Sequence, residues 1–210
     1  MFDPPEELEK KYPFLRHAKP DESQDALEKQ HYSILDIETT GLEPSLYEII
    51  EIAVLRVENN DIKDIFNTLI FPSKEITPEI ERLTGISNQM VAGYPTIEKV
   101  LPRFLDFIGD SILIAHNTDF DIAFLKTHIK RHLDRNLENP SICTVRVSQK
   151  FLPGLSRHKL HSVAEYYKVP TPLLHRALAD AEITYQIWLK LIETLKKSKI
   201  LTVKELLKVL

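Results

Sequence analysis

The stretch from Ser33 to Pro44, S-I-L-D-I-E-T-T-G-L-E-P, sets two acids inside an apolar strand, and no other segment constrains the chain as much. Ile34, Leu35 and Ile37 are strand formers, and a period of two turns Asp36 and Glu38 to the same face. Adjacent carboxylates raise each other's pKa, and burying one is costly unless it is paired. No Lys or Arg stands within the stretch. Either both acids lie on the wet face of a half-exposed strand, or a cation compensates them, and oxygen-only donors of this kind suit Mg²⁺ or Mn²⁺. Thr39-Thr40-Gly41 favours the cation, because Gly41 permits the positive φ of a sharp turn, whose backbone N–H groups can approach a phosphate or sugar closely.

Around this stretch the chain alternates in a readable order. Strand-like patterns begin at Tyr32 and recur over Ile49 to Val57 and Ile65 to Phe71, with Glu58-Asn59-Asn60-Asp61 as the turn between the last two. This predicts a three-stranded antiparallel meander. Thr77-Pro78 then starts a short helix that Gly85 ends, and Thr96 to Ile108 forms a longer one, locally weakened by Pro102. Ser111 to Ala115 is an apolar strand feeding a helix over Phe120 to His132, and Ser141 to Val145 is a fifth strand. Helices follow near Val147 to Phe151, Lys159 to Tyr167 and Ala177 to Leu195. Thr202-Val203-Lys204-Glu205 opens a last one as a capping box. A meander followed by strand–helix alternation predicts an α/β domain with a mixed sheet, its sites at strand ends.

The chain of 210 residues is long enough for one substantial core, with a charged, Pro-rich extension over residues 1–30 and a helical tail over 196–210. No apolar run approaches the ~20 residues of a membrane span. The acidic start, Met1-Phe2-Asp3-Pro4-Pro5, resembles neither a signal nor a transit peptide, so a cytoplasmic location is expected. A lone cysteine, Cys143, excludes an internal disulfide and a cysteine-based zinc site. The formal charge of −4 does not suit wrapping of a long duplex, and a short grip on a strand end fits it better.

Two further stretches carry chemistry. In I-L-I-A-H-N-T-D-F-D-I-A-F-L, from Ile112 to Leu125, a helix leaves an apolar strand end with Asp119 and Asp121 near its start. Either acid suits the helix dipole, and residue chemistry alone leaves the two open, with Asp119 also a plausible N-cap. His116 and Asn117 sit at the strand terminus as core, turn or site residues. In His175-Arg176-Ala177-Leu178-Ala179-Asp180-Ala181, small residues allow close helix–sheet packing that would bring Asp180 near Asp36.

Together D-x-E-T-T-G-L, H-N-x-x-F-D and H-x-A-x-x-D-A, in this order, resemble the three motifs of the DEDDh, or DnaQ-like, exonucleases, over roughly Tyr32 to Leu195. The resemblance implies a ribonuclease H-like fold with a five-stranded mixed sheet flanked by helices. It implies that Asp36, Glu38, Asp121 and Asp180 bind two divalent metal ions, Mg²⁺ or Mn²⁺, and so settles Asp121 over Asp119. It makes His175 the general base, and Thr39, Thr40, Leu42, His116, Asn117 and Phe120 the substrate-binding set. In Leu83-Thr84-Gly85-Ile86 the family often has histidine at Thr84, so a contact there is not carried over. Arg157, His158, Lys159 and His161 read as phosphate contacts or as a solvated basic loop. The expected activity is metal-dependent 3′ to 5′ removal of nucleoside 5′-monophosphates from single-stranded DNA, with a DNA polymerase subunit as a possible partner. The alternatives are an RNA-trimming exoribonuclease of the same family and a nucleic-acid-binding module that has lost catalysis.

Overall fold

The computed structural model of the protein describes residues 25–171 and 176–210. In chain order its elements are β1 (His31–Thr39), β2 (Ile49–Glu58), β3 (Asp61–Leu69), α1 (Pro78–Thr84), α2 (Asn88–Val91) and α3 (Ile97–Ile108). There follow β4 (Ile112–Ala115), α4 (Thr118–Leu133), β5 (Ser141–Cys143), α5 (Thr144–Phe151), α6 (Leu160–Tyr167), α7 (Ala177–Lys197) and α8 (Val203–Val209). The strands form one sheet in the order β3-β2-β1-β4-β5. β1 and β2, like β2 and β3, pair antiparallel, whereas β4 runs parallel to both β1 and β5. This is the five-stranded mixed sheet of a ribonuclease H-like fold, with helices on both faces.

The alternation in β1 decides what covers each face. Tyr32 and Ile34 belong to a core shared with Ala53, Leu55 and Val57 of β2 and with Ala177, Ala181, Trp188 and Leu191 of α7. Leu35 and Ile37 face the other way, into a core with Val100, Leu101 and Phe104 of α3 and Phe124 and Leu125 of α4. Asp36 and Glu38 follow Ile34 at a spacing of two, so they emerge on the α7 side.

Local chemistry explains the element ends. Thr77 caps α1, its hydroxyl accepting from the Ile80 amide, and Gly85 ends the helix at φ 69°. Thr84 is buried, its hydroxyl donating to the Ile80 carbonyl and accepting from the Ile86 amide, so it serves that helix end. The capping box expected at Thr202 and Glu205 is present.

The elements differ in places from the sequence expectations. β3 begins at Asp61 instead of Ile65 and ends at Leu69. Its first five residues are exposed on both faces, so no alternation marks them. Asn59 and Asn60, at φ 52° and 64°, make a two-residue turn that pairs Glu58 with Asp61 directly. β5 stops at Cys143, because Thr144 already begins α5. α3 runs unbroken as expected, with Pro102 exposed while Ile97, Val100, Leu101, Phe104 and Ile108 hold the helix by burial. The four residues of α2 are too few to show a period.

Residues 1–24, most of the charged extension, lie outside the described residues. Leu27 is buried, and its N–H donates to the Leu201 carbonyl at 2.9 Å. Val203 and Leu206 enter the same core as α7, which runs across residue 195 to Lys197. Among the described residues no helix is long and apolar enough to cross a membrane.

Candidate active site

The site forms where β1 ends, flanked by β2 on one side and parallel β4 on the other. The register sets Asp36 opposite Ala53 and Glu38 opposite Glu51. From α7, Ala177 and Ala181 are fully buried, and such small side chains let the helix lie close to the sheet. Asp180 stands between them, buried in the first turn. As a result carboxylate oxygens of Asp36, Glu38 and Asp180 all lie within 4.8 Å of one another. Asp121 comes from the first turn of α4, also buried.

The electrostatics show how closely these acids crowd. Burial and then the charges of Asp121, Glu38, Asp180 and Glu51 hold the Asp36 carboxyl well above its ordinary range. Glu38 is pushed up to about 8, first by burial and then by Asp180, Glu51 and Asp121, with Arg176 acting in the opposite sense. Asp121 also rises to about 8 through burial, despite backbone hydrogen bonds at Asp121 and Ile37 that favour its charged form. Only oxygen donors are offered, and they repel one another. A hard divalent cation fits both facts, since it would take those oxygens as ligands and offset their charge.

The other sequence candidates are placed as follows. Asp119 is exposed and donates nothing to the cluster, because its carboxylate accepts from Arg146 Nη2 at 2.5 Å. His175 lies outside the described residues. Thr39 is buried and its hydroxyl donates to the Gly41 carbonyl, while the Thr40 hydroxyl accepts from the Glu48 amide at 2.9 Å. These bonds hold the strand end and the turn after it. Leu42 on that turn is 82% exposed. Phe120 packs on Phe124, ring centroids 4.9 Å apart. Asn117 adopts the left-handed conformation at φ 72° just before α4.

His116 has both ring nitrogens occupied. Nε2–H donates to the His158 carbonyl at 2.9 Å, which leaves Nδ1 to accept from the Thr144 hydroxyl at 2.8 Å. Burial lowers its pKa to about 4, so the ring is neutral at pH 7. His116, Asn117, Val145, Gln149 and Lys159 line a cleft beside the strand ends. Of the basic run, Arg157, Lys159 and His161 are exposed, and His158 Nδ1 is bonded to the Ser148 hydroxyl at 3.0 Å.

Sequence reading did not single out Glu51 or Arg176. Glu51 is 1% exposed and accepts from Arg176 Nε and Nη2 and from the Ala177 amide. The available signal was an acid inside the otherwise apolar I-I-E-I-A-V run, since a buried carboxylate implies a partner elsewhere.

Residues 33–188 match the RNase T family of exonucleases. The DNA polymerase III subunit epsilon of Aquifex aeolicus is 40% identical over 164 residues, which cover 78% of this chain and 81% of that protein. The PolC-type DNA polymerase III of Thermotoga maritima is 40% identical over 175 residues, 83% of this chain but 13% of that much longer protein. Among solved structures, Exonuclease X in complex with 5′ overhanging duplex DNA superposes with a TM-score of 0.64 at 29% identity, covering 80% of this chain and 93% of that one. Exonuclease I shares the fold, with a TM-score of 0.66 at 17% identity over 80% of this chain and 44% of its own.

Proposed function

The chain belongs to the RNase T family of exonucleases, and on that premise we propose that it removes nucleoside 5′-monophosphates from the 3′ end of single-stranded DNA. The observation that carries the reading is the convergence of Asp36, Glu38 and Asp180 within 4.8 Å, with buried Asp121 adding its charge to theirs. Asp36, Glu38, Asp121 and Asp180 would hold two divalent ions, Mg²⁺ or Mn²⁺, which when bound activate a water and offset charge building up on the phosphate.

The chain's own groups do the rest. His175 takes the proton of the attacking water, a task for a neutral imidazole of ordinary pKa near ~6.5. His116 does not compete for this role, because its only lone pair is already held by Thr144. Thr39 and Thr40 stiffen the turn that carries Leu42, whose exposed apolar side chain lies against the terminal base. Asn117 and Phe120 bound the sugar from the α4 side, and Lys159 offers a cation to the next phosphate.

DNA is favoured because relatives at 40% identity are DNA polymerase III proteins, which also supports a polymerase subunit as partner and work in the cytoplasm. The test is hydrolysis of 5′-labelled DNA and RNA oligonucleotides of one sequence in Mg²⁺, with free or blocked 3′ hydroxyls. We expect a ladder shortening from the free 3′ end of DNA and release of deoxynucleoside 5′-monophosphates. Faster loss of RNA makes the enzyme an RNA trimmer, and no release from either makes the chain a binding module.

A further inference from the structure

Glu51 is a fifth carboxylate at the same strand ends, paired in register with Glu38, yet it stands apart in its bonding. Its Oε2 accepts from Arg176 Nε at 3.0 Å and from the Ala177 amide at 3.1 Å, and its Oε1 accepts from Arg176 Nη2 at 2.8 Å. Both oxygens are therefore committed to the start of α7. The two-pronged guanidinium contact fixes orientation as well as distance, which a lysine could not do. The Arg176 carbonyl in turn accepts from the Asp180 amide at 3.0 Å, so the residue held by Glu51 closes the helical turn that carries Asp180. Arg176 also directly follows His175 in the chain.

We propose that the Glu51–Arg176 ion pair is a positioning clamp for the nuclease reaction. It sets the first turn of α7 against β2, placing Asp180 beside Asp36 and Glu38. By saturating Glu51 it also keeps a fifth carboxylate out of the metal-binding set. The proposal rests on the function proposed above. A merely structural pair would stabilise the helix start without affecting either the placement of Asp180 or the choice of ligands.

The experiment compares full-length Arg176→Lys, Arg176→Met, Glu51→Gln and the Glu51→Gln/Arg176→Met double variant with the parent. Three quantities are read: kcat and KM on a single-stranded DNA oligonucleotide at saturating Mg²⁺, the Mn²⁺ Kd by calorimetry without substrate, and the melting temperature. We expect kcat to fall about 10- to 100-fold in Arg176→Met, with KM within about twofold, since small misplacement of reacting groups costs that much. Mn²⁺ affinity should weaken about tenfold, with Arg176→Lys intermediate and the double variant no worse than the poorer single one, as for residues acting as a unit. Lys130→Met, which breaks the exposed pair with Asp134, should change none of these. Lower melting temperatures with kcat and Mn²⁺ affinity both at the parent's values would overturn the clamp. If Arg176→Met does not fold, Arg176→Lys carries the same comparison. A parent that binds Mn²⁺ but releases no nucleotide refutes the proposed function alone, and the Mn²⁺ titration still decides whether the pair positions the ligands.

Discussion

Asp180→Asn separates the two consequences of crowding acids at one point, because it keeps the side chain's shape and deletes its charge. If the cluster holds the ions that assist hydrolysis, kcat should drop by about three orders of magnitude in a Mg²⁺ assay. The same change removes repulsion at Asp36 and Glu38, so in chelator the variant should melt no lower than the parent. A variant that keeps parental kcat would remove Asp180 from the site. His175 is tested by its pH dependence: activity should rise with pH through the ordinary histidine range, near ~6.5, and His175→Ala should flatten that limb. An unchanged profile of kcat/KM would assign the proton to another group. At this scale the sequence was informative where a residue type is odd in its setting. Asp36 and Glu38 interrupt an apolar strand, and Asp180 sits among alanines. Glu51 breaks its own run just as plainly, but its meaning lies with Arg176, 125 positions away, and no local pattern joins them.

The turn between β1 and β2 behaves as an element in its own right, and it depends on Gly41. A Cβ there would stand 2.4 Å from the Tyr47 ring, too close for any real contact. Two bonds from α4 hold the far side of this turn, His128 Nε2–H to the Tyr47 carbonyl at 3.0 Å and Arg131 Nη2 to the Ser45 carbonyl at 2.9 Å. Gly41→Ala should therefore push the Tyr47 ring outward and displace the Leu42 ledge. We expect KM for single-stranded DNA to rise about tenfold, near the cost of one misplaced apolar contact, while Mn²⁺ affinity stays at the parental value. Weakened Mn²⁺ binding would show that the turn supports the acids instead. Gly41 could be read as a turn residue from sequence, but not for the right reason: it does not adopt a positive φ, and what requires it is the Tyr47 ring over its missing side chain. β3 was half legible for a related reason: Phe66 and Leu69 reach the core, whereas Asp61 to Ile65 are exposed along the strand paired with β2 and show no alternation. The Tyr185 hydroxyl donating to the Asn60 carbonyl pins that hairpin to α7, another contact invisible to periodicity.

For the molecule as a whole, the site is a place where folding itself is opposed. Glu38 titrates at about 8 in the folded protein against 4.5 ordinarily, and Asp121 at about 8 against 3.8. Between those limits these carboxyls in the metal-free folded state hold protons that the unfolded chain has released, so their contribution to stability falls as pH rises, opposed below the ordinary histidine range by buried, neutral His116. The loss begins above the ordinary carboxylate range and is complete once pH passes about 8, where both states are ionised and the folded one keeps the repulsion. A bound cation reverses the balance by favouring the charged carboxylates, and its binding must then release protons below that pH. Thermal melts in chelator should accordingly show a falling melting temperature from about pH 5 to about pH 8. Saturating Mn²⁺ should raise it by roughly 5 °C or more at the alkaline end and by much less at the acid end. A chelated protein whose melting temperature is flat over this range would mean the four acids do not share one environment. A Mn²⁺ effect independent of pH would place the ion elsewhere on the surface. Because the readout is unfolding and not hydrolysis, it tests the metal site whatever nucleic acid the enzyme degrades.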